Sequence, residues 1–166
     1  MYTLQEANPA TMSEKDYKAV IAFRKRFFYQ NYANHPKPDF SEWKNKIIRF
    51  YKQKTAKGFF NIYKDEKVIA NLFYHKTKTF GIEKIVIRID HDKEAESEEL
   101  STLLCEQINV HKKKLLKASI ETKGDFISKI AKKCDFHKGN AKEFAALNLS
   151  QISSTFLKKL QPKEWA

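Results

Sequence analysis

From Asp90 to Glu99 the chain reads DHDKEAESEE, six carboxylates offset locally only by Lys93. Aspartate and glutamate in a first helical turn favour the positive end of the helix dipole, so the run reads as the solvated start of a helix. The same carboxylates oppose a phosphate: each one within ~5 Å of it would cost about 1 to 3 kcal/mol at an effective dielectric of roughly 20 to 80. Other side chains with reactive chemistry are scattered. Cys105 with His111 and Cys134 with His137 are zinc-ligand types, but they sit on separate segments at spacings that match no zinc pattern, and no HExxH is present, so no metal site is expected. Neither a glycine-rich phosphate loop nor a G-x-S-x-G elbow occurs. The two cysteines fall in separate helical segments and are expected to be free, partly buried thiols in a reducing cytosol.

The balance of 32 Lys+Arg against 20 Asp+Glu, net +12, favours encounters with polyanions such as nucleic acid or with a small anion such as coenzyme A. Lys57-Gly58-Phe59-Phe60-Asn61-Ile62-Tyr63 resembles the base-stacking strand of RNA-recognition motifs, yet the small residue after Gly-Phe is absent and no partner strand motif precedes it, so these aromatics read as core. In Arg24-Lys25-Arg26-Phe27-Phe28 the helical phase turns the aromatics inward and leaves the basic residues as a solvated face. Nucleic-acid binding through lysine-rich helices therefore ranks last.

The elements that must position this chemistry follow from period and caps. Ser13-Glu14-Lys15-Asp16 has capping-box form, and Tyr17, Val20, Ile21, Phe27 and Phe28 recur at helical spacing over about 16–32. Asn34 to Pro38 breaks that helix, and Asp39 caps a second one carrying Phe40, Trp43, Ile47 and Tyr51 on one stripe. After Gly58 the period shortens. Phe59–Tyr63 and Val68–His75 flank the turn Asp65-Glu66-Lys67 as a hairpin, and Ile85, Ile87 and Ile89 alternate along a third strand over 82–89. Ser97 then caps a helix bearing Leu100, Leu103, Leu104, Ile108, His111 and Leu115. A short strand over 118–122 follows, then a helix opened by Gly124 with Phe126, Ile127, Ile130 and Cys134 inward. A last strand is expected over 142–149, before an amphipathic tail with Phe156, Leu157, Leu160 and Trp165.

This order of elements over roughly 16–149 resembles the GNAT N-acetyltransferase superfamily, and the resemblance implies an α+β domain with a mixed, mostly antiparallel sheet flanked by helices. In that family the backbone of the central strand pairs with the pantetheine arm of acetyl-CoA, and a loop of the form Arg or Gln-x-x-Gly-x-Gly or Ala wraps the pyrophosphate at a helix N-terminus, where exposed N–H groups favour phosphate. Carried onto this sequence, the pantetheine stretch is Ile87, Arg88 and Ile89. The loop is 92–97, with Asp92 in place of the basic residue, Ala95 and Ser97 at the small positions, and main-chain groups from Lys93 to Ser97 facing the pyrophosphate. The family's Asn falls on Gly124, its helical Tyr on Ala131, and its Gly-Phe on Asp135-Phe136. Glu83, with Tyr74 and His75, is implied as the set that takes the amine's proton.

The reading is a single GNAT-like domain over 1–166, with acetyl-CoA as cosubstrate, a small-molecule or peptide amine as acceptor, and no membrane partner. The alternative is a catalytically inactive GNAT-fold domain that binds a ligand or partner, the implied partner being a second GNAT-like domain or a second copy. No stretch of ~18 apolar residues and no signal-peptide pattern occurs, so a soluble cytoplasmic protein is expected.

Overall fold

Ser13 starts the first helix as the sequence predicts. Its Oγ accepts from the Asp16 N–H at 3.1 Å, and the Asp16 carboxylate accepts in return from the Ser13 N–H at 3.1 Å. The computed structural model describes residues 1–32, 34–36, 38–53, 56–79, 82–112, 118–121, 124–138 and 155–158. Along them run β1 (Tyr2–Glu6), α1 (Glu14–Asn31), a 3-10 turn (Phe40–Glu42) continuing into α2 (Trp43–Tyr51), β2 (Ala56–Lys64), β3 (Lys67–Thr79) and β4 (Ile82–His91). A second 3-10 turn (Lys93–Ala95), α3 (Glu98–Lys112), β5 (Ala118–Glu121), α4 (Asp125–Lys133), β6 (Phe136–Lys138) and β7 (Thr155–Lys158) follow. The chain divides into two compact units, residues 1–73 with 90–96 and residues 74–89 with 97–166; β3 and β4 contribute to both.

In the first unit the strand order is β1-β2-β3. β1 was not expected from the sequence; it pairs antiparallel with β2 from Tyr2↔Lys64 to Glu6↔Phe60. Asp65 closes the β2–β3 hairpin at φ 57°, a left-handed conformation that a short polar side chain tolerates. Tyr17, Val20, Phe23 and Phe27 of α1 pack with Ile47, Tyr63 and Val68, while Ala7, Phe59 and Phe73 form a second cluster that Phe50 and Tyr51 cover. Of the aromatics of 57–63, Phe59 and Tyr63 are thus core, as expected, while Phe60 is half-buried. Burying such side chains is worth about 1.5–3 kcal/mol each before the entropy of ordering them is subtracted.

In the second unit the strand order is β3-β4-β5-β7-β6. β4 and β5 are parallel, with Ile85↔Ala118 through Arg88↔Glu121 as partners, whereas β7 runs antiparallel to both β5 and β6. Leu100, Leu104 and Ile108 form the fully buried stripe of α3, and Ile127, Ile130 and Ala131 that of α4. The architecture is α+β with a mixed, mostly antiparallel sheet, as the resemblance implies. The strand expected over 142–149 and the helix beyond Lys112 lie outside the described residues. Within the segment expected as an amphipathic tail, Thr155–Lys158 forms β7 and pairs with β5 and β6.

Candidate functional site

At the end of β4 the acidic run departs from its expected role. Arg24 Nη1 of α1 lies 2.7 Å from Asp90 Oδ2, and Arg26 Nε lies 3.1 Å from Asp92 Oδ2. Arg26 also donates through Nη2 to the Val68 carbonyl at 2.6 Å, and the Asp92 N–H donates to the Ile69 carbonyl at 2.9 Å. Two expectations are corrected here. The basic face of α1 is not simply solvated, because Arg24 and Arg26 are half-buried and paired. The acidic run is not uniformly solvated either, since the Asp92 side chain is only 6% exposed, although Glu94, Glu96, Glu98 and Glu99 do face solvent. Withdrawing a carboxylate from water is costly unless a cation and hydrogen bonds replace the hydration. Arg26 supplies both for Oδ2, while Asp92 Oδ1 is buried with no hydrogen-bond partner.

The 3-10 turn that follows uses much of its own polarity. The Ala95 N–H donates to the Asp92 carbonyl at 2.9 Å, the Glu96 N–H to the Lys93 carbonyl at 3.3 Å, and Glu96 Oε1 is 3.0 Å from His91 Nε2. Ala95 is buried and Lys93 exposed. Next along the chain, in the second unit, Ser97 acts as the expected N-cap: its Oγ accepts from the Leu100 N–H at 3.2 Å.

The other predicted residues belong to the second unit. Ile87 and Ile89 are buried and Arg88 is half-buried between them, the alternation of a strand with one face in the core. Ile87 and Arg88 partner Ile120 and Glu121 of β5. Tyr74 is buried near the middle of β3, where its hydroxyl donates to the Gln107 carbonyl at 3.3 Å, and burial pushes the phenol well above its ordinary pKa. It keeps its proton across the neutral range and cannot serve as a base. His75, the next residue, projects from the opposite face of the strand, so the two side chains do not converge. Glu83 lies on β4.

Ala131, at the position of the family's tyrosine, is fully buried. Asp135, at the position of its glycine, adopts φ 62° just past the Cys134 C-cap, the left-handed conformation glycine usually provides at a helix end. The backbone device survives there although the residue type does not.

Sequence reasoning missed a small hollow in the first unit, about 20 Å³, lined by α1, α2, β2 and β3, with room for about one water. Phe50, Phe59 and Phe73 supply apolar wall. Arg24, Tyr51 and the mutually hydrogen-bonded, buried pair Asn61 and Asn71 supply polar groups. Burial raises the Tyr51 phenol, with Asn61 partly offsetting the shift by a hydrogen bond. The available signal was two asparagines at inward strand positions, where an unpaired amide would be costly.

No protein-family model and no curated protein matches the chain in sequence. Solved structures do match in fold. The ribosomal-protein-S5-alanine acetyltransferase from Vibrio fischeri is 15% identical with a TM-score of 0.62, over 99% of this chain and 95% of that one. A GNAT-family acetyltransferase from Staphylococcus aureus is 10% identical with a TM-score of 0.65, over 97% and 100%. The PaiA N-acetyltransferase from Thermoplasma acidophilum, solved with coenzyme A, is 14% identical with a TM-score of 0.57, over 96% and 99%. The chain has the GNAT acetyltransferase fold along almost its whole length.

Proposed function

We propose that the chain is a GNAT-type N-acetyltransferase that moves an acetyl group from acetyl-CoA to a primary amine. The observation that carries this reading is the pairing of Asp90 with Arg24 and of Asp92 with Arg26. The two carboxylates nearest the end of β4 are thereby already paired with the protein's own cations, which takes two of the run's six out of the electrostatic objection to a pyrophosphate at the following turn. On this reading the backbone of Ile87, Arg88 and Ile89 holds the pantetheine arm, and main-chain N–H groups between Lys93 and Ser97 hold the pyrophosphate around the small Ala95. Glu83 takes a proton from the amine as its nitrogen attacks the thioester carbonyl, and His75 is a further candidate for that role. Tyr74 keeps its proton and acts through position. The thiolate leaves and takes its proton from water, since Ala131 has none to give.

A second reading, a non-catalytic GNAT-fold domain that binds a ligand or partner, is favoured by the turn itself. The Ala95 and Glu96 N–H groups are already bonded to the Asp92 and Lys93 carbonyls, and no glycine loosens them. Thermal unfolding with increasing acetyl-CoA separates the two, because a ligand that binds only the native state raises the melting temperature with concentration. The enzyme reading expects a graded rise together with free thiol released in the presence of an acceptor amine. A flat melting temperature leaves the second reading.

A further inference from the structure

Cys105 of α3 and Cys134, the C-cap of α4, bring their Sγ atoms to 2.8 Å from each other. Neither is in a disulfide; Cys105 is half-buried and Cys134 buried. Neither cysteine is among the residues given a role in the proposed reaction. Asn109 Nδ2 approaches Cys105 Sγ at 3.7 Å, and Cys134 Sγ lies 3.9 Å from the Cys105 carbonyl. Two sulfurs this close need approach by less than ~1 Å to reach the ~2.05 Å of a disulfide bond. The Lys133 ammonium, raised chiefly by its hydrogen bond to Glu98, also senses the field of both sulfurs.

We propose that Cys105 and Cys134 form a reversible intrachain disulfide when the protein meets a disulfide or peroxide oxidant. With oxidised glutathione, the more accessible Cys105 thiolate attacks one sulfur of the oxidant and expels one glutathione thiolate. Cys134 then attacks Cys105 Sγ and expels the second. The two protein sulfurs lose two electrons and two protons and become one S–S bond, and the oxidant's S–S bond becomes two thiols. The link ties α3 to the end of α4 and closes a loop that contains β5 and α4, so its main effect is on the unfolded chain.

The test is exposure of the full chain to oxidised glutathione, followed by intact-mass analysis with and without reductant. The expected result is a monomer lighter by about 2 Da, with no thiol left to alkylate after denaturation, and full reversal by reductant. Its melting temperature should rise by roughly 5 to 15 °C, as a closed loop of this length implies. The Cys134→Ser variant should instead retain one glutathione on Cys105. A wild-type chain that keeps a stable glutathione adduct, crosslinks to a second copy, or retains two alkylatable thiols overturns the proposal.

Discussion

Arg26 Nε sits 3.1 Å from Asp92 Oδ2 while its Nη2 holds the Val68 carbonyl at 2.6 Å, so one guanidinium joins α1 to both β3 and the end of β4. A lysine has a single point of charge and could not serve both oxygens with the same fixed fork. In a chain with 28 lysines and 4 arginines, the positions where arginine stands are informative, and two of the four are committed to this junction.

Removing one member of that pair should be expensive and removing both much less so. Arg26→Ala leaves the Asp92 carboxylate buried without its cation and should cost about 3 kcal/mol or more in urea unfolding. Arg26→Met combined with Asp92→Leu should recover over half of that loss, because two apolar side chains leave no charge stranded. A double variant as unstable as the single one would mean that the pair contributes mainly by packing.

The proposed pyrophosphate site makes a prediction about the carboxylates that stay in solvent. Replacing Glu94 and Glu96 together with glutamine should tighten acetyl-CoA binding by roughly thirtyfold or more, measured by calorimetry at low salt, and the gain should shrink as ionic strength rises. An unchanged affinity would place the pyrophosphate elsewhere.

Asp16 should contribute to acid sensitivity. Burial pushes its carboxyl up, but hydrogen bonds from the Ser13 N–H, from Ser13 Oγ and from the Tyr63 hydroxyl outweigh that and hold it below its ordinary value. A carboxyl with a lowered folded-state pKa stabilises the fold above its unfolded value of about 3.9, and the benefit disappears as pH falls through the folded value. Asp16→Asn should therefore lower the melting temperature at neutral pH and flatten its decline below about pH 4. Ser13→Ala should cost about 1 kcal/mol through the lost cap.

The helix starts were the most legible features in the sequence, because each is a local signal. Ser13, Asp39 and Ser97 all accept the backbone N–H expected of a cap. The Arg24–Asp90 and Arg26–Asp92 contacts were not foreseen, although Arg-x-Arg and Asp-x-Asp share one spacing and both pairs lie 66 residues apart. Residues two apart on a helix point roughly 200° from each other, which argued against a shared destination for the two arginines; long side chains reaching round the helix overcame that argument. β1, β6 and β7 were too short for a period to emerge, and their pairing depends on partners far along the chain. For the site, Asp135 shows the limit of motif matching: the glycine-type backbone angle persisted where the glycine did not.

β7 comes last among the described strands yet lies between β5 and β6. During synthesis β5 and β6 emerge first and cannot hydrogen-bond to each other across the place reserved for it. This side of the sheet is therefore completed only after Thr155–Lys158 has left the ribosome. Until then β5 and β6 each lack this partner, and an unpaired strand edge is a template for pairing with another chain.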